Sequence, residues 1–232
     1  MTFVFVHGGG NTARSWEPTM SQLAYPSLAI DMPGRGRHPA PLDKVRIDDW
    51  VESAVADIKR SGADDIVLVG HSMGGLTVPA IAAELADRVR HVVFISASIL
   101  GEGATLIQMV DEETRAQVEE LKPDPDVQLL PYELLKEMLC YDMDEAQARW
   151  FLDLQVPEAY WPTRETPKVL TLDPKVDRTW IRPLRDRTFP PQTQDEMRKR
   201  IGCDRTIDID AGHMVMVSRP AELAKILNDL HH

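Results

Sequence analysis

Short apolar runs alternate with longer amphipathic stretches along most of this chain. Residues 2–6, 27–30, 66–69, 91–95, 179–184 and 206–209 read as strands. Their near-continuous hydrophobicity is what strands covered on both faces require. The fifth run is the weakest, because Arg182 and Pro183 interrupt it, and a proline there suits only a strand end or an edge. Helical patterns lie between the runs, at 16–23, 48–60, 76–85 and 190–200. The second places Trp50, Val51, Val55 and Ile58 at roughly helical spacing, and the third carries Pro79 early enough to be tolerated. A last helix begins near Pro220, with Leu223, Ile226, Leu227 and Leu230 along one side. This alternation predicts an α/β fold, a mostly parallel sheet of about six strands with helices on both faces.

The rhythm breaks from about 101 to 167. Strand signals vanish, and the segment is rich in Glu, Leu, Met and Gln, with Pro123 and Pro125 marking a loop. It reads as a small helical cap, residues 102–167, inserted into a core formed by 1–101 and 168–232. Its aromatic residues, among them Tyr132, Tyr141, Trp150, Phe151, Tyr160 and Trp161, suit either a roof over a substrate or the packing of small helices. Trp150 and Trp161 are the candidates for substrate contact.

The chain of 232 residues suffices for one sizeable core. Its 43% hydrophobic and 27% charged content is that of a folded globular protein. The net charge of −11 argues against nucleic acid or an anionic membrane as a partner, and it offers no long-range attraction for anionic substrates. No apolar run approaches the length needed to cross a bilayer. The first strand follows Met1 without the basic end of a signal peptide. Two cysteines, Cys140 and Cys203, make neither a disulfide framework nor a metal site. A cytoplasmic location with reduced thiols is the expectation.

The chemistry concentrates in Gly70-His71-Ser72-Met73-Gly74-Gly75, between the third strand and a helix. A serine at the apex of so sharp a turn stands clear of the sheet, and small neighbours two positions away permit the backbone strain. A serine hydroxyl is a poor nucleophile near neutral pH, so it needs a base, and the base needs an orienting carboxylate. Among seven histidines, only His213 follows Ser72 in a suitable place, on the loop after the last strand. Asp186 stands at the carboxyl end of the preceding strand; Asp177 comes before that strand and Asp195 falls in the next helix. The loop after strand 91–95, Ser96-Ala97-Ser98, holds no carboxylate. A developing oxyanion needs backbone donors. The amide of Met73 is one, and Gly9 in His7-Gly8-Gly9-Gly10 is assigned as the other. Those glycines lack the spacing of a dinucleotide fingerprint. His7 is read as a brace for its loop, and Asp31 as the cap of a tight turn that runs to Gly36.

Together these motifs resemble the α/β-hydrolase superfamily, and more narrowly its branch of methylesterases, hydroxynitrile lyases and small esterases. The resemblance covers the core at both ends, including Gly212-His213-Met214 and Ser218-Arg219-Pro220; the cap matches less specifically. Hydroxynitrile lyases of this branch carry a threonine after the oxyanion-loop histidine and a lysine after the catalytic one. Here those positions are Gly8 and Met214, the esterase pattern, and both are candidate substrate contacts. The resemblance implies hydrolysis of a small carboxylic ester through Ser72, His213 and Asp186, with no metal or cofactor. The implied partner is a small-molecule ester, with a homodimer left open. A lyase, cyclase or thioesterase on the same three residues, or a non-catalytic ligand sensor, is the alternative, since fold does not fix function.

Overall fold

Six parallel strands form one sheet in the order β2-β1-β3-β4-β5-β6. They are β1 Thr2–Val6, β2 Ser27–Ile30, β3 Ile66–His71, β4 Val89–Ile95, β5 Asp177–Pro183 and β6 Arg205–Ile209. The computed structural model describes residues 1–109, 112, 115, 116, 130–159, 161–168, 171–203 and 205–231. The loop expected at Pro123 and Pro125 lies outside them, as does Tyr160.

The helices are α1 Glu17–Met20, α2 Ile47–Ser61, α3 Val78–Glu84, α4 Tyr132–Leu139, α5 Glu145–Leu152, α6 Pro191–Arg200, α7 Val215–Ser218 and α8 Pro220–Asn228. Period-two alternation divides the strand side chains between two cores. Val4, Val6, Ile66, Leu68, Val92, Phe94 and Trp180 point to one face, where α2, α3 and α6 cover them. Phe3, Phe5, Val67, Val69, Val93, Ile95 and Ile181 point to the other, under α5, α7 and α8.

Two strand features have local causes. β5 is an interior strand, and Pro183 is its last residue, where the missing N–H costs least. Arg182 is tolerated there because its guanidinium bonds both Asp208 on β6 and Asp195 on α6. Two expected helices are shorter than the pattern suggests. The stretch 16–23 is a 3-10 turn, Ala13–Trp16, followed by α1, which ends at Met20. The stretch 76–85 starts as the 3-10 turn Ser72–Leu76, and α3 begins only at Val78, with Pro79 in its first turn. The helix α7 carries no amphipathic signal, since all four of its residues are buried.

The order of strands sets the place of any site. From β1 the chain moves to β2 on one side, then crosses back to β3 on the other. The loops after β1 and β3 therefore diverge, and a crevice opens at their carboxyl ends. Those loops are His7 to Gly10 and Ser72 to Leu76.

Candidate active site

β3 is buried along its whole length, and the chain turns sharply at its end. Ser72 takes φ 49°, in the left-handed region that costs a non-glycine residue free energy. Its neighbours make that turn sterically feasible. A Cβ on Gly70 would lie 2.6 Å from Val78 Cγ2, and one on Gly74 would lie 3.0 Å from the carbonyl oxygens of Val6 and His7. The Ser98 N–H donates to the Ser72 carbonyl at 2.8 Å, which ties the turn to the loop after β4. Ser72 is half-buried, between buried His71 and Met73.

His213 arrives from the loop after β6. Its Nε2 lies 3.0 Å from Ser72 Oγ, and its Nδ1 lies 2.7 Å from Asp186 Oδ2. The partners assign the tautomer: Nδ1–H donates to the carboxylate, and the Nε2 lone pair faces the hydroxyl. Asp186 sits just past β5, with its carboxylate wholly buried. Oδ1 accepts the N–H groups of Thr188 at 2.8 Å and Phe189 at 3.0 Å, and Oδ2 also accepts the Ser96 hydroxyl. Burial alone would raise this carboxyl group. The His213 ring and these donors outweigh it and hold Asp186 below the ordinary aspartate value.

Two further buried histidines pack beside this line. His71 Nε2–H donates to the His213 carbonyl at 2.9 Å, and burial, then the His213 ring, lowers it to about 3. His7 Nδ1–H donates to Gly8 O at 2.9 Å, and its Nε2 accepts the Met32 N–H at 3.3 Å. Burial, then the Arg35 charge, lowers His7 to about 3 as well. Both rings are neutral at physiological pH, and His7 braces its loop.

The loop after β1, which carries the candidate donor Gly9, is pinned both locally and from the segment before β5. Gly10 N–H donates to Glu158 Oε2 at 2.8 Å, Val156 N–H donates to Gly10 O at 2.9 Å, and Asn11 Nδ2 donates to Gly9 O at 2.6 Å. Glu158 in turn pairs with buried Arg35, whose guanidinium stacks 4.9 Å over Trp50. A Cβ on Gly9 would lie 2.8 Å from Met73 Cε, so the two candidate oxyanion donors belong to touching segments. Gly8 is equally tight: a Cβ there would lie 2.9 Å from Ser72 Cβ.

The remaining candidates stand elsewhere. Met214 is buried in the apolar cluster that includes Phe5 and Trp16. Trp150 packs on that same cluster. Trp161 lies against the loop before α2, where its Nε1–H donates to Asp43 O at 2.7 Å and the Arg46 guanidinium sits 4.1 Å over its ring. Asp31 is a turn residue: its carboxylate accepts Ala13 N–H at 2.8 Å and Arg37 N–H at 3.2 Å. A surface cleft of about 710 Å3, lined in part by Arg14, Glu17, Arg37 and Gln155, does not include Ser72.

The structure adds Ser96, Arg35, Asp142 and Glu158, which pattern reading assigned no role at the site, and it gives Tyr141, read only as one of several aromatic residues, a definite place. Ser96 had a visible signal, since the loop after β4 is next to the acid's strand and a hydroxyl can serve a carboxylate. The others had none.

A sequence profile of the alpha/beta hydrolase family matches residues 3–226, and the chain belongs to that family. Lipase LipV of Mycobacterium tuberculosis is 27% identical, over 96% of this chain and 90% of its own length. Polyneuridine aldehyde esterase of Rauvolfia serpentina is 23% identical, over 98% of this chain and 94% of its own. Among solved structures, an extracellular alpha/beta-hydrolase from a Paenibacillus species superposes with a TM-score of 0.83 at 23% identity, covering 99% of this chain and 98% of the other.

Proposed function

We propose that this chain is a serine hydrolase that cleaves small, neutral carboxylic esters through an acyl-enzyme. The observation that carries the reading is the unbroken line Ser72 Oγ, His213 Nε2, His213 Nδ1 and Asp186 Oδ2, joined at 3.0 and 2.7 Å. Ser72 Oγ attacks the ester carbonyl while His213 Nε2 takes its proton. Asp186 keeps the productive tautomer and stabilises the imidazolium. The Gly9 and Met73 N–H groups receive the oxyanion. His213 then returns its proton to the leaving alcohol, and the C–O bond breaks. A water enters, gives its proton to His213 and attacks the acyl carbon, and Ser72 leaves with that proton restored.

The names of the relatives, lipase and esterases, agree with this chemistry. The site also disfavours the lyase alternative. A threonine at Gly8 would press its Cβ to within 2.9 Å of Ser72 Cβ, and the residue after His213 is the buried apolar Met214 where the lyases carry a lysine.

The test is a panel of methyl, aryl, thio and lactone esters against the parent and Ser72→Ala. The expected result is turnover of simple oxygen esters, lost in the variant by about 1,000-fold or more. Parental rates in Ser72→Ala, or turnover confined to thioesters or lactones, would remove the reading.

A further inference from the structure

We propose that Tyr141 and Asp142, in the segment between α4 and α5, are positioning residues that hold Asp186 and His213 in register. The inference rests on the triad reading above and assigns it a further component from the cap.

The acid and the base come from different strands, and their loops must be held to each other. One phenol does this. The Tyr141 hydroxyl donates to Arg185 O at 2.8 Å and accepts the N–H groups of Arg187 at 3.1 Å and His213 at 3.2 Å. It thus grips the residues on both sides of Asp186 and the base itself, with its one donor and both lone pairs in use. The Arg187 guanidinium lies 4.1 Å over the ring and closes the outer side. Asp142 extends the grip by one residue. Its carboxylate is wholly buried, and Oδ2 accepts the Gly212 N–H at 2.7 Å. The fit is close, since a Cβ on Gly212 would lie 2.6 Å from Asp142 Oδ1. Neither side chain is bonded to the Ser72 hydroxyl or to the imidazole ring. Their effect is on where the ring and the carboxylate stand, and a displacement of about 1 Å can cost roughly a hundredfold in rate.

The experiment uses the full chain with 4-nitrophenyl acetate, and a fluorophosphonate titration to count competent Ser72 sites. Tyr141→Phe is expected to lower kcat per titrated site by at least about fivefold and toward a hundredfold, with KM changed less than about twofold. A smaller loss per site overturns the proposal, whatever happens to the melting temperature. So does a rise in KM with kcat intact, which would make Tyr141 a binding residue. If Tyr141→Phe does not fold, Asp142 decides. Asp142→Asn keeps an acceptor for Gly212, and Asp142→Ala does not. Loss of at least about fivefold in Ala with recovery in Asn supports positioning; parental kcat per site in Ala overturns it. Ser72→Ala is the control. Its turnover at the parental rate would sink the triad reading itself, whereas an inactive Ser72→Ala beside an unaffected Tyr141→Phe sinks only the role of the cap.

Discussion

Ser96 and His213 donate to the same oxygen of Asp186. The His213 Nδ1–H reaches Oδ2 at 2.7 Å, and the Ser96 hydroxyl reaches it from the end of β4. Ser96 holds φ 41°, a strained value that it shares in kind with Ser72 at the end of the adjacent strand. Ser96→Ala leaves that backbone as it is and removes one charge-assisted hydrogen bond. The expected cost is about 1.5–3 kcal/mol of stability, measured by chemical denaturation, with kcat reduced but not abolished. Unchanged stability would mean that the hydroxyl does not bond the carboxylate in solution.

Three buried groups shape the pH dependence of stability. His7 and His71, each lowered to about 3, stay neutral in the folded protein but take up protons near the ordinary histidine value when unfolded. Between those values the unfolded chain binds more protons, so stability is complete above the ordinary value and falls as pH drops below it. At about pH 5 each ring should cost about 2 kcal/mol. Asp186 is depressed instead, so its contribution is present above the ordinary aspartate value and is lost only as pH falls through its lower folded value. Denaturant midpoints should therefore decline first below roughly pH 6.5, above the range in which the Asp186 contribution is lost. His71→Gln, which keeps an N–H for the His213 carbonyl, should remove about half of that early slope. An identical slope in the variant would show that these rings are not the source.

The Ser72 turn offers a test of packing. Gly70 has no room for a Cβ, because Val78 Cγ2 would lie 2.6 Å away, and Val78 is itself fully buried at the start of α3. Gly70→Ala should destabilise by about 1–3 kcal/mol through overpacking. Val78→Ala removes the obstructing methyl, so the double variant should be more stable than the sum of the singles by about 0.5–3 kcal/mol. Strict additivity, read from denaturation of all four proteins, would place the cost in other neighbours of the new Cβ, such as the Gly74 carbonyl 3.7 Å away, and not in this contact.

The strands were legible in the sequence because both faces of a central parallel sheet are covered, so the apolar runs are nearly continuous. β6 was legible for a narrower reason: it is an edge strand with Asp208 exposed, and only Ile209 is buried. The Ser72 turn could be read because its determinants, Gly70 and Gly74, are local. His213 and Asp186 could be proposed from their places after consecutive strands, and the structure does bring them to Ser72. What stayed hidden is nonlocal. Tyr141 meets His213 across 72 residues, and Glu158 meets Arg35 across 123. No periodicity records such pairs. Aromatic content does not by itself place a ring, for the same reason. Trp161 is a large ring in the cap segment, but only the fold could show that it faces Asp43 and Arg46.

The pair Arg35 and Glu158 gives the last prediction. Arg35 is buried under Trp50, and its Nη1 also reaches Gly8 O at 3.3 Å, while Glu158 receives the Gly10 N–H at 2.8 Å. One ion pair therefore joins the segment before β5 to both ends of the loop 8–10. Removing one partner leaves an uncompensated buried charge, at a cost of about 3–5 kcal/mol, whereas replacing both with apolar groups of similar shape is often nearly neutral. Glu158→Leu should accordingly destabilise far more than the double variant Arg35→Met, Glu158→Leu. The double variant should still lose activity, because Gly10 no longer has its acceptor and the loop that carries Gly9 is free to shift. Denaturation separates the two effects from turnover of an aryl acetate. If the double variant regains stability and keeps full kcat, the tether contributes to folding alone and the position of the oxyanion loop is set by β1 and Asn11.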